Sequence, residues 1–456
     1  MNRIQRPGRR SFLSSLGAAA AGLFSAGRLG AATAKAAAVK PDGDPIVAIK
    51  SGLGSTGNIY AELGLTPIIN IEGTISIIGN TLMKPEVMEA MRQGNEHFVM
   101  LNELEVAAGQ FIAKLCKSPA GYTGLVTAGS AASMVVSYAA MMTEDLESRL
   151  EAVPDVTGFP RTEVIVQRQD SYPFEHQIRQ TGAKLVVVSS RDEMLAAIHP
   201  RTVAIHYCAQ SHRGPVSREE VVSIAKQHGI YSFCDGGGST DLPPKSNLWE
   251  YPAVGFDMVC FGGGKDVSGP AATGILIGKE ELIRWAQLNM SPQENRIGRV
   301  SKVGKEEICA VLKALELFVN QDEDATLRVY DGRAQVVTDA LKKFGVTALP
   351  RTGKFGESLR YTWQWDAAKI NLTTTQIHDA LAATRPVAIG YMLPANYSAS
   401  QGMRGRPDPG APAPRPAVPR KGNNTFSFNP WVLKEDEVNV VAARLAQIFA
   451  AAVVKG

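Results

Sequence analysis

The sequence predicts an α/β protein built around a mostly parallel sheet. Short runs of apolar, β-branched residues recur through the middle of the chain, at residues 164–167, 185–189, 203–207, 230–234, 258–261 and 274–278. Amphipathic helical stretches such as 192–199 and 219–228 lie between several of these runs. Such runs are typical of strands buried on both faces, with the intervening helices covering a parallel sheet.

Length and composition indicate an ordinary globular chain of two domains. Of its 456 residues, 45% are apolar and 20% are charged, which excludes a disordered, collagen-like or disulfide-stapled protein. We expect an arm at 37–66, a large domain at 67–320 and a small C-terminal α+β domain at 321–456. The amphipathic stretch 305–319 predicts a helix that leads into the small domain. A loop rich in Pro, Gly, Ser and Arg is expected at 396–424.

The first 36 residues resemble a twin-arginine export signal. They contain no Asp or Glu, and Arg9-Arg10-Ser11-Phe12-Leu13 is followed by an Ala/Gly-rich stretch and the A-x-A-like site Ala34-Lys35-Ala36. This predicts a periplasmic protein that the twin-arginine machinery exports. The alternatives are a disordered basic tail, or a membrane anchor if the segment is not cleaved.

The net charge argues against a nucleic-acid partner. The formal charge of +4 depends on six basic residues in segment 1–36; without them, 42 of the 48 Lys and Arg remain against 44 Asp and Glu, which leaves −2. A near-neutral chain offers no large electrostatic footprint for RNA or DNA. The five cysteines form no C-x-x-C pair, so we expect no metal site. Outside the leader, no run of 18 apolar residues predicts a membrane span.

The first candidate motif is a helix start rich in small residues. Thr127-Ala128-Gly129-Ser130-Ala131-Ala132 precedes a helical run. Small residues there let backbone N–H groups approach an anion, which the helix dipole also favours. Gly129, Ser130 and Ala131 are therefore candidate phosphate-binding residues. The alternative is an ordinary helix N-cap.

The second motif is a carboxylate at the end of a predicted buried strand. Asp235 follows the run 230–234 and precedes three glycines. In α/β sheets, this edge is where ligands bind, and a buried carboxylate requires a partner such as a protonated pyridine nitrogen. The alternative is an N-cap Asp.

The third motif is a lysine among glycines just after another predicted strand. Lys265 follows Gly262-Gly263-Gly264. A partly desolvated lysine at a strand end can react with a carbonyl group, and the glycines would leave room for a bulky ring. The alternative is a glycine-rich turn with an exposed lysine. The spacing of a phosphate-binding P-loop is absent.

The order of the three motifs, with Lys265 thirty residues after Asp235, is the layout of fold-type-I pyridoxal phosphate (PLP) enzymes. Over residues 60–450 the chain resembles the selenocysteine-synthase-like group, which includes seryl-tRNA selenium transferases and D-glucosaminate-6-phosphate ammonia-lyases. The further matching segments are LPP at 242–244, NLW at 247–249, GFD at 255–257, IINIEGT at 68–74, IGR at 297–299, KVGKEE at 302–307 and FSFNP at 426–430. The resemblance implies a fold-type-I PLP-dependent transferase fold and a homodimer or larger homo-oligomer.

The resemblance also implies roles for individual residues. Lys265 would form the Schiff base with PLP and move protons, and Asp235 would keep the pyridine nitrogen protonated. The helix start at 129–131 would bind the cofactor phosphate. Arg299 and Lys302 would serve an anionic group of the substrate or a neighbouring subunit; the alternative is a solvated charged turn.

The chain departs from the family pattern at several positions. Gly262 stands where the family often has Ser, and Gly236 where it often has Ala. The family's ring-stacking His is absent, and the residue near that position is Asp170. Tyr172 and His176 are the candidate replacements.

Two further side chains are candidate ligands. His206, at a predicted strand end, would contact the cofactor, although such a histidine is more often a core residue. Arg360 would bind a substrate carboxylate; the alternative is an ordinary strand arginine.

The predicted function is that of an exported PLP-dependent enzyme acting on a small amino acid or amino sugar. The leading hypothesis is α,β-elimination of the ammonia-lyase type through Lys265. A PLP-dependent aminotransferase or racemase is the alternative, because the same carbanion can be reprotonated in other ways. A non-catalytic exported binding protein on a PLP fold is the alternative from another class.

Overall fold

The structure is a computed structural model that describes residues 53–74, 76–209, 212–237, 245–351, 360–384, 388–390 and 424–454. The predicted export signal, the arm as far as residue 52 and nearly all of the predicted loop at 396–424 lie outside the described residues.

Helices and strands alternate along most of the described chain. The helices are, in order, α1 (Ile59–Glu62), α2 (Pro85–Asn95), α3 (Leu101–Leu115), α4 (Ser130–Thr143), α5 (Glu147–Ala152), α6 (Glu175–Gln180), α7 (Arg191–Ala196), α8 (Arg218–Gln227), α9 (Asn247–Val254), α10 (Glu280–Leu288), α11 (Lys305–Asn320), α12 (Glu323–Lys342), α13 (Thr374–Ala382) and α14 (Glu437–Ala452). The strands are β1 (Ile68–Ile69), β2 (Tyr122–Thr127), β3 (Glu163–Gln167), β4 (Lys184–Val188), β5 (Thr202–Cys208), β6 (Tyr231–Asp235), β7 (Met258–Gly262), β8 (Gly274–Lys279), β9 (Thr347–Ala348), β10 (Tyr361–Gln364), β11 (Ala388–Ile389) and β12 (Thr425–Phe428). Among these helices, none combines the length and apolar composition that crossing a membrane requires.

A seven-stranded, mostly parallel sheet forms the centre of the fold, in the order β2-β8-β7-β6-β5-β3-β4. β3 pairs with β4 and β5, β5 with β6, and β6 with β7, all in parallel. β8 pairs antiparallel with β7 and β2. The predicted α/β class is therefore confirmed, and each of the six predicted strands agrees with an observed strand to within one residue at either end. Because parallel strands share a direction, the carboxyl ends of β3, β5, β6 and β7 meet at one edge.

Two hydrophobic cores cover the two faces of this sheet. Side chains alternate along each strand, so that Cys234 of β6 packs into one core and Phe233 into the other. The first core includes residues of α3, α8, α9 and α11. The second includes residues of α4, α6 and α10. Helices on both faces explain why these strands read as nearly continuous apolar runs.

A third core surrounds a smaller sheet in the order β12-β10-β9, with α12, α13 and α14. Trp363 of β10 stacks on Phe428 of β12, with ring centroids 4.9 Å apart. β1 pairs in parallel with β11, and Ile69 and Ile71 join this third core. The expected boundary at residue 67 had placed both isoleucines in the large domain. The division into two domains stays a prediction, because the described residues from Leu53 to Val454 belong to one compact unit.

Close contact between α3 and β2 predicts a large stability effect at Gly109. An ideal Cβ on Gly109 would lie 2.3 Å from the carbonyl oxygen of Gly124. We expect Gly109→Ala to lower the free energy of unfolding, because overpacking costs about 1–3 kcal/mol while helix propensity returns at most about 1 kcal/mol. Gly332→Ala is the matched control, since Gly332 lies within α12 and a Cβ there meets nothing within 4 Å. It should raise the free energy of unfolding by about 0.5–1 kcal/mol. Equal stability of the two variants in urea denaturation would contradict the close contact.

Candidate active site

Asp235 is a buried and well-partnered carboxylate at the end of β6. Its register partners are Cys208 on β5 and Cys260 on β7. The Gly237 N–H donates to Asp235 Oδ1 at 2.8 Å, and the Cys260 thiol donates to the same oxygen at 3.4 Å. The Tyr172 hydroxyl donates to Oδ2. These donors offset the cost of burying the charge, since Asp235 is only 7% exposed.

The start of α4, which follows β2, is a glycine-capped helix N-terminus. Gly129 occupies the N-cap with φ of 96°, which favours glycine, and the helix continues for 14 residues. The Thr127 and Ser133 hydroxyls lie 2.6 Å apart and hold this turn together. N–H groups in the first turn have no acceptor within the helix, and the helix dipole adds positive potential. The terminus can therefore bind a phosphate.

Lys265 lies on a tight turn just after β7. The Ser268 N–H donates to the Lys265 carbonyl at 2.8 Å, and Ser268 has a φ of 59°. An ideal Cβ on Gly262 would lie 3.3 Å from Lys265 Cδ and 3.0 Å from the Gly237 carbonyl oxygen. The lysine side chain thus passes over Gly262, close to the segment that follows Asp235.

Gly237 is the point where the three predicted motifs converge. An ideal Cβ on Gly237 would lie 2.7 Å from Ser130 Oγ and 2.9 Å from Asp235 Oδ1. Its carbonyl oxygen faces Gly262, over which Lys265 passes. A helix terminus for a phosphate, a carboxylate for a ring nitrogen and a lysine for a carbonyl group are therefore neighbours. This donor set fits PLP.

A chain of buried aromatic groups leads to Asp235 from the second core. The Tyr172 hydroxyl lies 3.0 Å from His206 Nε2, and His206 Nδ1 lies 2.8 Å from the Tyr138 hydroxyl. Burial lowers the pKa of His206 to about 4, against the weaker opposing effect of the nearby Asp235 and Asp170 charges. Burial, followed by the charge of Asp235, holds the pKa of Tyr172 well above its usual value. The imidazole is therefore neutral near neutral pH.

Comparison with known proteins connects this site to a family. A family model described as "SelA: L-seryl-tRNA selenium transferase" matches residues 178–343. D-glucosaminate-6-phosphate ammonia lyase of Salmonella typhimurium (strain 14028s / SGSC 2262) is 24% identical over 86% of this chain and 98% of its own length. A solved structure of a D-glucosaminate-6-phosphate ammonia-lyase superimposes with a TM-score of 0.69 at 23% identity, covering 87% of this chain and 99% of that chain. The predicted resemblance is confirmed.

A further relative is named for a different reaction. The 5'-C-glycyluridine monooxygenase-decarboxylase of a Streptomyces species is 26% identical over 58% of this chain and 66% of its own length.

The structural match to the D-glucosaminate-6-phosphate ammonia-lyase confirms the predicted fold-type-I fold. The matches also confirm the predictions of an enzyme and of PLP as its cofactor.

The glycines around the site have a different role from the one expected. An ideal Cβ on Gly264 would lie 2.5 Å from Ala271 Cα, so this glycine permits close backbone packing. The expectation that it leaves room for a ring is wrong. An ideal Cβ on Gly236 would lie 2.8 Å from Phe261 Cε1. An alanine at position 236, which the family often has, would therefore require the Phe261 ring to move.

Asp170, which lies near the position of the family's stacking His, anchors a loop. It is 5% exposed and accepts hydrogen bonds from His212 Nδ1 at 3.0 Å, the Gly214 N–H at 2.8 Å and Gln167 Nε2 at 3.2 Å. These bonds tie the end of β3 to the segment after β5. His176 is exposed on α6. Tyr172 contacts Asp235 directly, and His206 is connected to Asp235 through the Tyr172 hydroxyl. A stacking role for either residue stays a prediction.

In the described part of the chain, the contacts found for the candidate substrate-binding residues do not reach Asp235. Arg299 is exposed, and its Nη1 donates to Ser291 Oγ at 3.1 Å. Lys302 is also exposed. Arg360 Nη1 lies 3.9 Å from Glu72 Oε2. These contacts do not place any of the three beside Asp235, so their role in binding substrate stays a prediction.

In the part of the chain that the structure describes, no group of three or more His, Cys, Asp or Glu side chains is arranged to hold a metal ion. The cysteines in the described chain are free thiols, and Cys208, Cys234 and Cys260 are buried within β5, β6 and β7.

Proposed function

We propose that this PLP-dependent enzyme catalyses α,β-elimination from a small amino acid or amino sugar, with release of ammonia and a keto product. The observation that supports this most directly is the convergence at Gly237. There, Ser130 at the start of α4, the Asp235 carboxylate and the Lys265 turn meet at one edge of the sheet. Lys265 offers an acid–base group, the start of α4 an anion site and Asp235 a buried carboxylate. Together they support a PLP-dependent reaction of a substrate amine.

Each part of the site has a separate task in this reaction. Bound PLP withdraws electrons from the carbon that carries the substrate amine. The N–H groups at the start of α4 hold the phosphate and fix the ring's position. Asp235 keeps a proton on the pyridine nitrogen. The Lys265 amine, on its tight turn, would remove the α-proton of the substrate and give that proton to the departing β-hydroxyl group, which leaves as water. The enamine that is released tautomerises to an imine, and its hydrolysis takes up one water and yields ammonia and the keto product.

The choice of elimination over other outcomes is supported by the comparison with the ammonia lyase. This chain aligns with 98% of that protein's length, although at only 24% identity. An amino-sugar acid, free or phosphorylated, is therefore the first substrate class to test. The Streptomyces relative carries the name of another reaction, which shows that overall similarity alone does not decide the outcome.

A product screen tests the reaction class. We expect purified protein loaded with PLP to release ammonia and a keto acid in equal amounts from an amino-sugar acid, its 6-phosphate or a small β-hydroxy amino acid. Ammonia is measured with a coupled dehydrogenase, and the keto product by hydrazone formation. Protein stripped of PLP is the control and should release neither. Transfer of the amine to the cofactor without ammonia would contradict elimination in favour of an aminotransferase, and inversion of the substrate alone would favour a racemase.

We also propose export by the twin-arginine pathway to the periplasm, and assembly into a homodimer or larger oligomer. The export proposal is supported by the sequence of segment 1–36. Assembly is supported by large apolar side chains that are strongly exposed on either side of α2 in the sequence, where Leu82, Phe98 and Met100 are 65%, 99% and 67% exposed.

A further inference from the structure

Tyr138, His206, Tyr172 and Asp235 form a hydrogen-bonded chain whose direction can be derived. An ionised carboxylate only accepts hydrogen bonds, so the Tyr172 hydroxyl must give its single proton to Asp235 Oδ2. The Tyr172 oxygen then accepts from His206 Nε2, 3.0 Å away. His206 therefore carries its proton on Nε2.

Because His206 is neutral, the direction of its hydrogen bond with Tyr138 also follows. A neutral imidazole has one donor and one acceptor nitrogen. With Nε2 donating, Nδ1 must accept, and its partner is the Tyr138 hydroxyl at 2.8 Å. His206 is 3% exposed and Tyr138 is fully buried, so water does not compete for the bond between them. Tyr172 is partly exposed. Each bond polarises the next in a buried chain, and every donor points towards Asp235.

We propose that this directed relay, which runs from Tyr138 through His206 and Tyr172, stabilises the negative charge of Asp235 and thereby keeps the cofactor's pyridine nitrogen protonated. The inference rests on the proposed function, because the nitrogen belongs to bound PLP. Tyr172 and His206 are then positioning residues, which act on the reaction through Asp235. Hydrogen bonds to an ionised acceptor are the strong ones, and a hydrogen bond to the charged form of a carboxylate favours that form.

Tyr207, on the same strand as His206, provides a control for the hydrogen-bond relay. Tyr207 follows His206 on β5, and alternation sends its side chain to the opposite face of the sheet, where it packs in the first core. Its ring lies 4.6 Å from that of His212 and 5.6 Å from that of Phe256. Tyr207→Phe thus removes a buried hydroxyl from β5 without touching the relay.

The test uses PLP labelled at its ring nitrogen and bound to the full chain. Nitrogen NMR should show a protonated ring nitrogen in the unmodified protein and in Tyr207→Phe, and a shift towards the unprotonated form in Tyr172→Phe. The kcat of Tyr172→Phe should fall by roughly 10- to 100-fold, the range for a hydrogen bond to a charged group, with little change in KM. A purely structural role would leave the ring-nitrogen signal of a folded variant unchanged, and that result would overturn the relay.

A second measurement needs no variant of the relay. In the unmodified protein with labelled histidine, the relay predicts that His206 is protonated on Nε2 and unprotonated on Nδ1. A proton on Nδ1 would overturn the proposed direction of the chain. Failure of the unmodified protein to bind PLP would instead overturn the proposed function, and the histidine signal would still report on the relay.

Discussion

Lys265→Ala is expected to abolish covalent attachment of PLP and to lower kcat by roughly 1,000-fold or more, because the lysine supplies both the nucleophile and the acid–base group. Lys265 follows β7 on a turn closed by the Ser268 N–H, and its side chain passes over Gly262. The change should remove the absorbance band of the lysine-bound cofactor as well as the release of ammonia.

A lysine elsewhere on the surface provides the control for this change. Lys226 is exposed near the end of α8, and Lys226→Ala should keep both the absorbance band and the activity. If Lys265→Ala retained the absorbance band together with kcat within tenfold of the unmodified protein, the assignment of Lys265 would be wrong.

Asp235→Asn is expected to lower kcat by roughly 100-fold or more, the order found when one preorganised electrostatic group is removed from an active site. The amide keeps the shape of the carboxylate but removes its negative charge, so the proton on the pyridine nitrogen is no longer favoured. Lys265 is unaffected, and the cofactor should still attach. Steady-state kinetics and the absorbance spectrum together separate loss of the charge from loss of the cofactor.

A second buried aspartate in the same sheet provides the matched control. Asp257 lies next to the start of β7, far along the strands from Asp235, and accepts hydrogen bonds from the Ser232 N–H at 2.7 Å and hydroxyl at 2.9 Å. Asp257→Asn should reduce stability while leaving kcat within a few-fold. Equal losses of kcat in the two variants would mean that the effect of Asp235→Asn comes from the fold and not from the site.

The main sheet and the order of the site motifs could be predicted from the sequence for a physical reason. Strands covered on both faces must be apolar along their whole length, so runs such as 203–207 stand out. Residues just after parallel strands share one edge, which is why Asp235 and Lys265 could be expected to lie together before their contacts were known.

Features that depend on tertiary contacts could not be predicted in this way. Tyr138 lies within an apolar helical run and gives no local signal, because its role comes from a bond to His206 on another element. Asp170 binds a loop more than forty residues away in the chain. β2 contains Gly124, which weakens a strand pattern, and this glycine is present because α3 packs closely against it.

Mapping the cofactor's attachment site shows whether Lys265 is the lysine that binds PLP. Purified full-length protein is reduced with borohydride, digested and analysed by mass spectrometry. We expect a reduced phosphopyridoxyl group on Lys265 in about one copy per chain. Attachment to another lysine, or a complete peptide map in which Lys265 is unmodified, would contradict it.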